Sequence, residues 1–115
     1  LADTGYDKLK QLADTIVGQG QEPIVIDSKR LLESPEAVLH VLCDRVGIAL
    51  DESMLSWAAG PKPYDGVWAP HWYHNAHHSR GFAPYATKAE AFPERLKPLL
   101  DECQELYDAL LPFVI

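Results

Sequence analysis

Pro23-Ile24-Val25-Ile26-Asp27-Ser28-Lys29-Arg30-Leu31-Leu32-Glu33-Ser34-Pro35-Glu36-Ala37-Val38-Leu39 carries the chain from an extended apolar segment into a helix, and its reading sets the fold class. Ile24, Val25 and Ile26 are apolar on consecutive rather than alternate positions. That pattern suits a strand covered on both faces, as in a parallel sheet flanked by helices. Asp27-Ser28 closes the run. Such a pair suits a turn or cap, and at the C-terminal edge of an open α/β sheet it would also face a ligand cleft; the cap is the simpler reading. Ser34-Pro35-Glu36 then predicts a helix start, with serine at the cap, proline at the first position and an acid beside the positive helix end. Val38, Leu39, Leu42 and Val46 form the apolar stripe of that helix, and Gly47 stops it.

Towards the N-terminus, Tyr6, Leu9, Leu12, Ile16 and Val17 recur at helical spacing, with Asp3 or Thr4 as cap and Gly18 and Gly20 as the stop. Towards the C-terminus, Asp51 or Glu52 opens a short helix through Met54, Leu55 and Trp57. Residues 58–66 form a loop rich in Gly and Pro. Residues 68–75 read as a helical turn or two, and 77–91 as irregular. After Pro93 a long helix carries Leu96, Leu99, Leu100, Cys103, Leu106, Tyr107, Leu110 and Leu111 on one face, with Asp101, Glu102, Glu105 and Asp108 on the wet one. Pro98 limits its first turns or kinks it. The expected architecture is α/β and mostly helical, with one core strand and four or five helices. A lone strand leaves its backbone N–H and C=O groups unpaired, so a partner is required: the remainder of a parallel sheet, or a second copy through the exposed strand.

The 115 residues suffice for one domain with a modest core, and an apolar fraction of 47% excludes general disorder. A net charge of −7 argues against nucleic acid and anionic membrane surfaces as partners, since both require a basic field. No apolar run approaches the roughly 20 residues of a membrane span. Cys43 and Cys103 both sit in apolar helical patterns and read as free, buried thiols, consistent with a cytoplasmic protein. The chain opens on Leu1 rather than Met, so a cut end, cleavage or missing N-terminal sequence is expected.

The quoted stretch, followed by Arg45-Val46-Gly47-Ile48, resembles the late strand and helix of P-loop sulfotransferases. Met54-Leu55-Ser56-Trp57, Gly60-Pro61, Asp65-Gly66-Val67-Trp68-Ala69-Pro70-His71-Trp72-Tyr73 and Ser79-Arg80-Gly81-Phe82 are similar to a bacterial and plant group of sulfotransferase-like proteins, some labelled branched-chain aminotransferase-like. The resemblance covers nearly the whole chain. It implies that the chain is the C-terminal part of a P-loop, sulfotransferase-like fold. In the intact family a sulfuryl group passes from 3′-phosphoadenosine 5′-phosphosulfate to a hydroxyl or amine of a small-molecule acceptor. The family cradles the phosphosulfate on a Gly-rich turn between a strand and a helix, with a Lys and a Ser or Thr. Gly18-Gln19-Gly20 precedes a strand instead and carries no Lys. The family's general base and 3′-phosphate ligands fall before the matched region, so no catalytic residue carries over. What carries over is the late glycine loop that closes on the nucleotide: Gly66 and Trp68 stand where the family has a G-x-W element. Ala69 replaces the Lys that follows in many members, and Lys62 is the candidate substitute. The isolated chain is therefore expected to bind no cofactor and to be inactive alone, with the missing N-terminal part as its partner.

Two further constellations carry chemistry. His71, His74 and His78 would share a face of one continuous helix, with His77 pointing away, and three neutral imidazoles on one face can bind zinc. The blander reading, polar residues of an irregular segment, is favoured, and no metal is expected. Trp57, Tyr64, Trp68, Trp72, Tyr73 and Phe82 would line an acceptor pocket or, more simply, pin the long loop by packing. Lys29 and Arg30 read as solvated. The readings that compete with a sulfotransferase part are a helical protein-interaction module and, behind it, a His-based metal-binding domain.

Overall fold

The computed structural model describes residues 2–115. The chain divides into two compact units, one containing residues up to Asp27 together with Ala86–Ile115, the other comprising Ser28–Tyr85.

In the first unit a 3₁₀ turn at Ala2–Thr4 leads into helix α1, Tyr6–Gly18. The cap is Gly5 rather than Asp3 or Thr4. Its φ of 77° lies in the left-handed region that glycine reaches without a Cβ penalty, and no side chain caps the helix. Helix α6, Lys97–Leu110, follows a 3₁₀ turn at Glu94–Leu96. Pro98 falls in its first turn, where no helical N–H is required, so it opens the helix instead of kinking it. α1 packs along α6, with Ala13 and Leu110 buried. A 3₁₀ turn at Leu111–Phe113 then redirects the chain towards the Pro23–Asp27 segment.

The expected core strand does not form among the described residues. Only Val25 pairs, in an isolated parallel bridge to Val114. Val25 donates its N–H to Phe113 O at 3.1 Å, and Ile115 donates to Val25 O at 3.1 Å. The reason is local. Pro23 has no N–H, and at Ser28 the chain already enters a helix. On the other side Val114 donates back to Leu111 O at 3.1 Å, closing the 3₁₀ turn. One residue of each segment is left to pair. The apolar run nevertheless finds cover: Pro23 is buried, Ile24 and Val25 half-buried. Beside it, Leu9, Leu12, Ile16, Ile24, Ile26 and Leu110 line an open groove of about 220 Å³. Tyr107 donates its hydroxyl to Asp27 Oδ2 at 2.8 Å, tying α6 to the end of the extended segment.

The second unit opens on a short helix, α2, Ser28–Glu33, which the Asp27-Ser28 pair alone does not announce. It packs against α3, Pro35–Val46. Pro35 begins α3 as expected, yet the Ser34 side chain makes no cap hydrogen bond, and the Ser34 carbonyl accepts from Val38 N at 3.1 Å. Val38 and Cys43 form the buried stripe; Leu39 and Leu42 are half-buried and Val46 is exposed. Gly47 ends the helix at φ 75°, and Ile48 N closes it on Cys43 O at 3.0 Å. Asp51 accepts from Ser53 N at 2.7 Å and caps a single 3₁₀ turn, Glu52–Met54, shorter than the expected helix through Trp57. Met54 Sδ lies 3.9 Å from the buried Cys43 Sγ. Both cysteines are free thiols, Cys43 buried and Cys103 half-buried. Among the described residues no helix is long and apolar enough to cross a membrane.

Candidate functional site

The polar chemistry of the second unit gathers where residues 56–66 meet residues 73–82. An antiparallel bridge joins Ser56 to Gly81, with Trp57 N donating to Arg80 O at 3.0 Å. Glycine eases this approach at position 81, because a Cβ there would lie 3.0 Å from Leu55 O and the backbone would have to give slightly. Beyond the bridge, Trp57 Nε1 donates to Ser79 Oγ at 2.8 Å, and Ser79 Oγ donates to Ala76 O at 2.7 Å. Phe82 packs edge-on against the Trp57 ring, centroids 5.4 Å apart. Gly60 N donates to His77 O at 2.7 Å, which pins the start of the glycine- and proline-rich loop to the helical segment.

Two short helices carry that segment: α4, Ala69–Trp72, and α5, His74–His78. The break falls at Tyr73, with φ −98° and ψ 15°. The continuous helix that would align His71, His74 and His78 is therefore absent. His78 Nδ1 instead meets the main-chain oxygen of His74 at 2.6 Å. No group of three or more His, Cys, Asp or Glu side chains is arranged to hold a metal ion among the described residues.

His77, set aside on the sequence, is the histidine with a carboxylate partner in this loop. Its Nε2 lies 2.8 Å from Asp65 Oδ2, and the same oxygen accepts from Lys62 N at 2.7 Å. The two side chains are 21% and 17% exposed, so the pair is largely covered yet reachable. The Lys62 N–H foremost, and His77 after it, hold the Asp65 carboxyl below its ordinary range, against the opposing effect of desolvation. An ionised carboxylate only accepts hydrogen bonds, so the hydrogen between the pair sits on Nε2 in the neutral imidazole and Nδ1 carries the lone pair. Tyr73 packs edge-on against the imidazole at 5.9 Å, and His77 N donates to Tyr73 O at 2.7 Å. Trp57, Lys62, Asp65, Tyr73, His77 and Ser79 line an open groove of about 320 Å³.

Of the three residues expected to face a nucleotide, only Lys62 lines this groove. Its ammonium donates to Ala58 O at 2.7 Å, which leaves two N–H donors for an anion. Gly66 turns the loop into α4, its carbonyl accepting from Ala69 N at 3.0 Å. Trp68 is the residue before α4 and is 67% exposed, an open aromatic face. Tyr64, Val67 and Trp72 are exposed beside it in sequence. The aromatic set thus splits: Trp57 and Phe82 pack, while Tyr64, Trp68 and Trp72 stand in solvent. Lys29, read as solvated, is half-exposed with its ammonium 5.3 Å from the Tyr85 ring centroid.

Gly18-Gln19-Gly20 does not fit a phosphate. It lies at the C-terminal end of α1, where Gln19 N and Gly20 N are already taken by carbonyls of residues 15–17. An anion placed there would meet the negative end of the helix.

Comparison with known proteins identifies the class. A Sulfotransferase domain model matches residues 2–113, and the chain belongs to that family. It is similar to Branched-chain-amino-acid aminotransferase-like proteins 2 and 1 of Arabidopsis thaliana, at 39% identity over 108 residues in each case. Those alignments take in 94% of this chain but only 19% and 20% of the two relatives, so the chain spans about a fifth of their length. No solved structure matches the chain. The resemblance drawn from the glycine and aromatic positions of 54–82 thus holds, including its aminotransferase-like label.

Proposed function

We propose that this chain is the C-terminal part of a sulfotransferase-like protein, inactive by itself, which in the intact protein closes the cleft for 3′-phosphoadenosine 5′-phosphosulfate and shapes the pocket of a small-molecule acceptor. The single observation that carries the reading is the family match over residues 2–113, in a chain whose Gly18-Gln19-Gly20 turn does not fit a phosphate. In this reading Lys62 supplies a cation, Gly66 the turn and Trp68 an aromatic face towards the nucleotide. Calorimetric titration of the chain with 3′-phosphoadenosine 5′-phosphosulfate tests it. No binding is expected at ordinary concentrations; micromolar binding at normal stoichiometry would overturn the view that the phosphate loop must come from elsewhere.

The partner of the Pro23–Ile26 segment belongs to the same proposal. Val25 turns its N–H and carbonyl to the Val114 side. The opposite edge, at Ile24 and Ile26, is the place for the remainder of a sheet or for a second copy. Leu9 and Leu12, 53% and 57% exposed beside that groove, are apolar surface of the kind a partner covers. Amide exchange at Ile24 and Ile26 should slow once a partner is present; exchange equally fast at low concentration and in an oligomer or longer chain would sink the idea.

A further inference from the structure

We propose that Asp65 and His77 form a proton-accepting dyad in which the carboxylate orients the ring and His77 Nδ1 accepts a hydrogen bond from the hydroxyl or amine of a small molecule seated in the groove. The assignment of that molecule as the acceptor rests on the sulfotransferase-like reading; the dyad itself does not.

The argument is geometric. A base that works through a neutral imidazole needs one nitrogen fixed by an acceptor and the other directed to open space. Asp65 Oδ2, 2.8 Å from Nε2, fixes the first. For the second, His77 lines the groove and its side chain remains 21% exposed, so the ring is reachable from the groove. The ring is held more firmly than packing alone requires. Its residue is bound at both main-chain groups, N to Tyr73 O and O from Gly60 N, each at 2.7 Å, and Tyr73 stands against its edge. Asp65 is held in turn by Lys62 N at 2.7 Å, so the orienting group does not swing away. The rest of the lining matches a small polar molecule with an apolar body: Trp57 and Tyr73 offer ring surface, while the Lys62 ammonium and Ser79 hydroxyl offer polar contacts. The other histidines of the segment lack this arrangement. His71 and His74 are exposed, and the ring of His78 is taken up by His74 O.

A pair that serves only to clamp the loop makes the opposite prediction for one experiment. The whole chain is treated with diethyl pyrocarbonate, which acylates the unprotonated imidazole nitrogen, and each histidine is followed by peptide mass spectrometry in the wild type and in Asp65→Asn. A dyad predicts that Asp65→Asn slows acylation of His77 by at least about tenfold, the scale on which losing an orienting carboxylate acts on a held imidazole, with His71 and His74 unchanged. A clamp predicts faster acylation, because the loosened loop uncovers the ring; that result, or no change, overturns the proposal. Nitrogen-15 spectra of the histidine rings supply the second reading. The dyad requires the hydrogen on Nε2 of His77 in the wild type and a mixture of tautomers in Asp65→Asn, and a wild-type ring protonated on Nδ1 would overturn it equally. Neither measurement involves a sulfuryl donor. Failure of the donor titration therefore leaves the dyad standing, and an unreactive His77 leaves the family reading standing.

Discussion

The two units fasten their irregular segments by different means. In the first, α1 and α6 meet through apolar side chains, with Ala13 and Leu110 buried, and the extended segment is attached by one bridge and the Tyr107–Asp27 hydrogen bond. In the second, the loop of residues 57–66 is fastened by hydrogen bonds to named atoms: Gly60 N on His77 O, Lys62 N on Asp65 Oδ2, Trp57 Nε1 on Ser79 Oγ. Apolar packing tolerates sliding, whereas a hydrogen bond specifies an atom and an angle. The segment with chemistry to position is the one held by hydrogen bonds, and the aromatic surface at Tyr64, Trp68 and Trp72 stays uncovered.

Truncating the packing should give the largest effect. Leu110→Ala removes a side chain that is only 5% exposed and is expected to lower stability by roughly 2–5 kcal/mol in urea unfolding, the range for buried leucines. A loss well under that range would show that the groove beside it collapses to fill the gap, and that packing is not what holds the first unit. A backbone change in the second unit comes next. Gly47→Ala places a Cβ at φ 75° where nothing lies within 4 Å, so the cost is conformational only, about 1–2 kcal/mol. A neutral result would mean that α3 can end without the left-handed residue.

The bridge is smaller. Removing Val114 and Ile115 deletes one hydrogen bond to Val25, Ile115 N to Val25 O, and frees the geometry of the other, each contributing about 1 kcal/mol. Hydrogen exchange at Val25 should accelerate, and unchanged protection there would show that the apolar groove alone fixes the segment.

The finest contrast is in pH. Tyr107 donates to Asp27, and that hydrogen bond, with desolvation second, raises the phenol above its ordinary value of 10.0. A raised pKa gives stability that is complete below the ordinary value and is lost as pH climbs towards the folded one, so the first unit should weaken in alkali and Tyr107→Phe should remove that component. Asp65 is shifted the other way, below its ordinary 3.8, chiefly by the Lys62 N–H. Its contribution is complete above the ordinary value and is lost as pH falls towards the folded one. Protection factors of amides in residues 58–66, corrected for the intrinsic pH dependence of exchange, should therefore fall in acid, and Asp65→Asn should remove that component. Identical pH profiles for wild type and variants would erase the distinction between the units.

Much of this architecture was legible without coordinates, and the legible part is local. Pro35 starts α3 and Gly47 stops it because ring closure and a missing Cβ act within a residue or two. The long C-terminal helix, a helical turn or two within 68–75 and the Asp51 cap follow from the same near-neighbour rules, although α5 runs on to His78, into residues expected to be irregular. The family, too, was legible, because glycine and tryptophan spacing in 54–82 survives as pattern. What only the tertiary structure decided lies between residues far apart in the chain. Three apolar residues after Pro23 announced burial, but nothing in them named Val114, and a bridge rather than a strand resulted because turns on both sides leave one residue free to pair. His77 looked like the odd member of a histidine run, since helical periodicity assumes a helix that Tyr73 interrupts. Its partner Asp65 stands 12 residues earlier, across a loop whose path no periodicity describes. Sequence patterns record what each residue needs from its neighbours in the chain; which distant atom satisfies a buried donor is settled only when the chain folds back on itself.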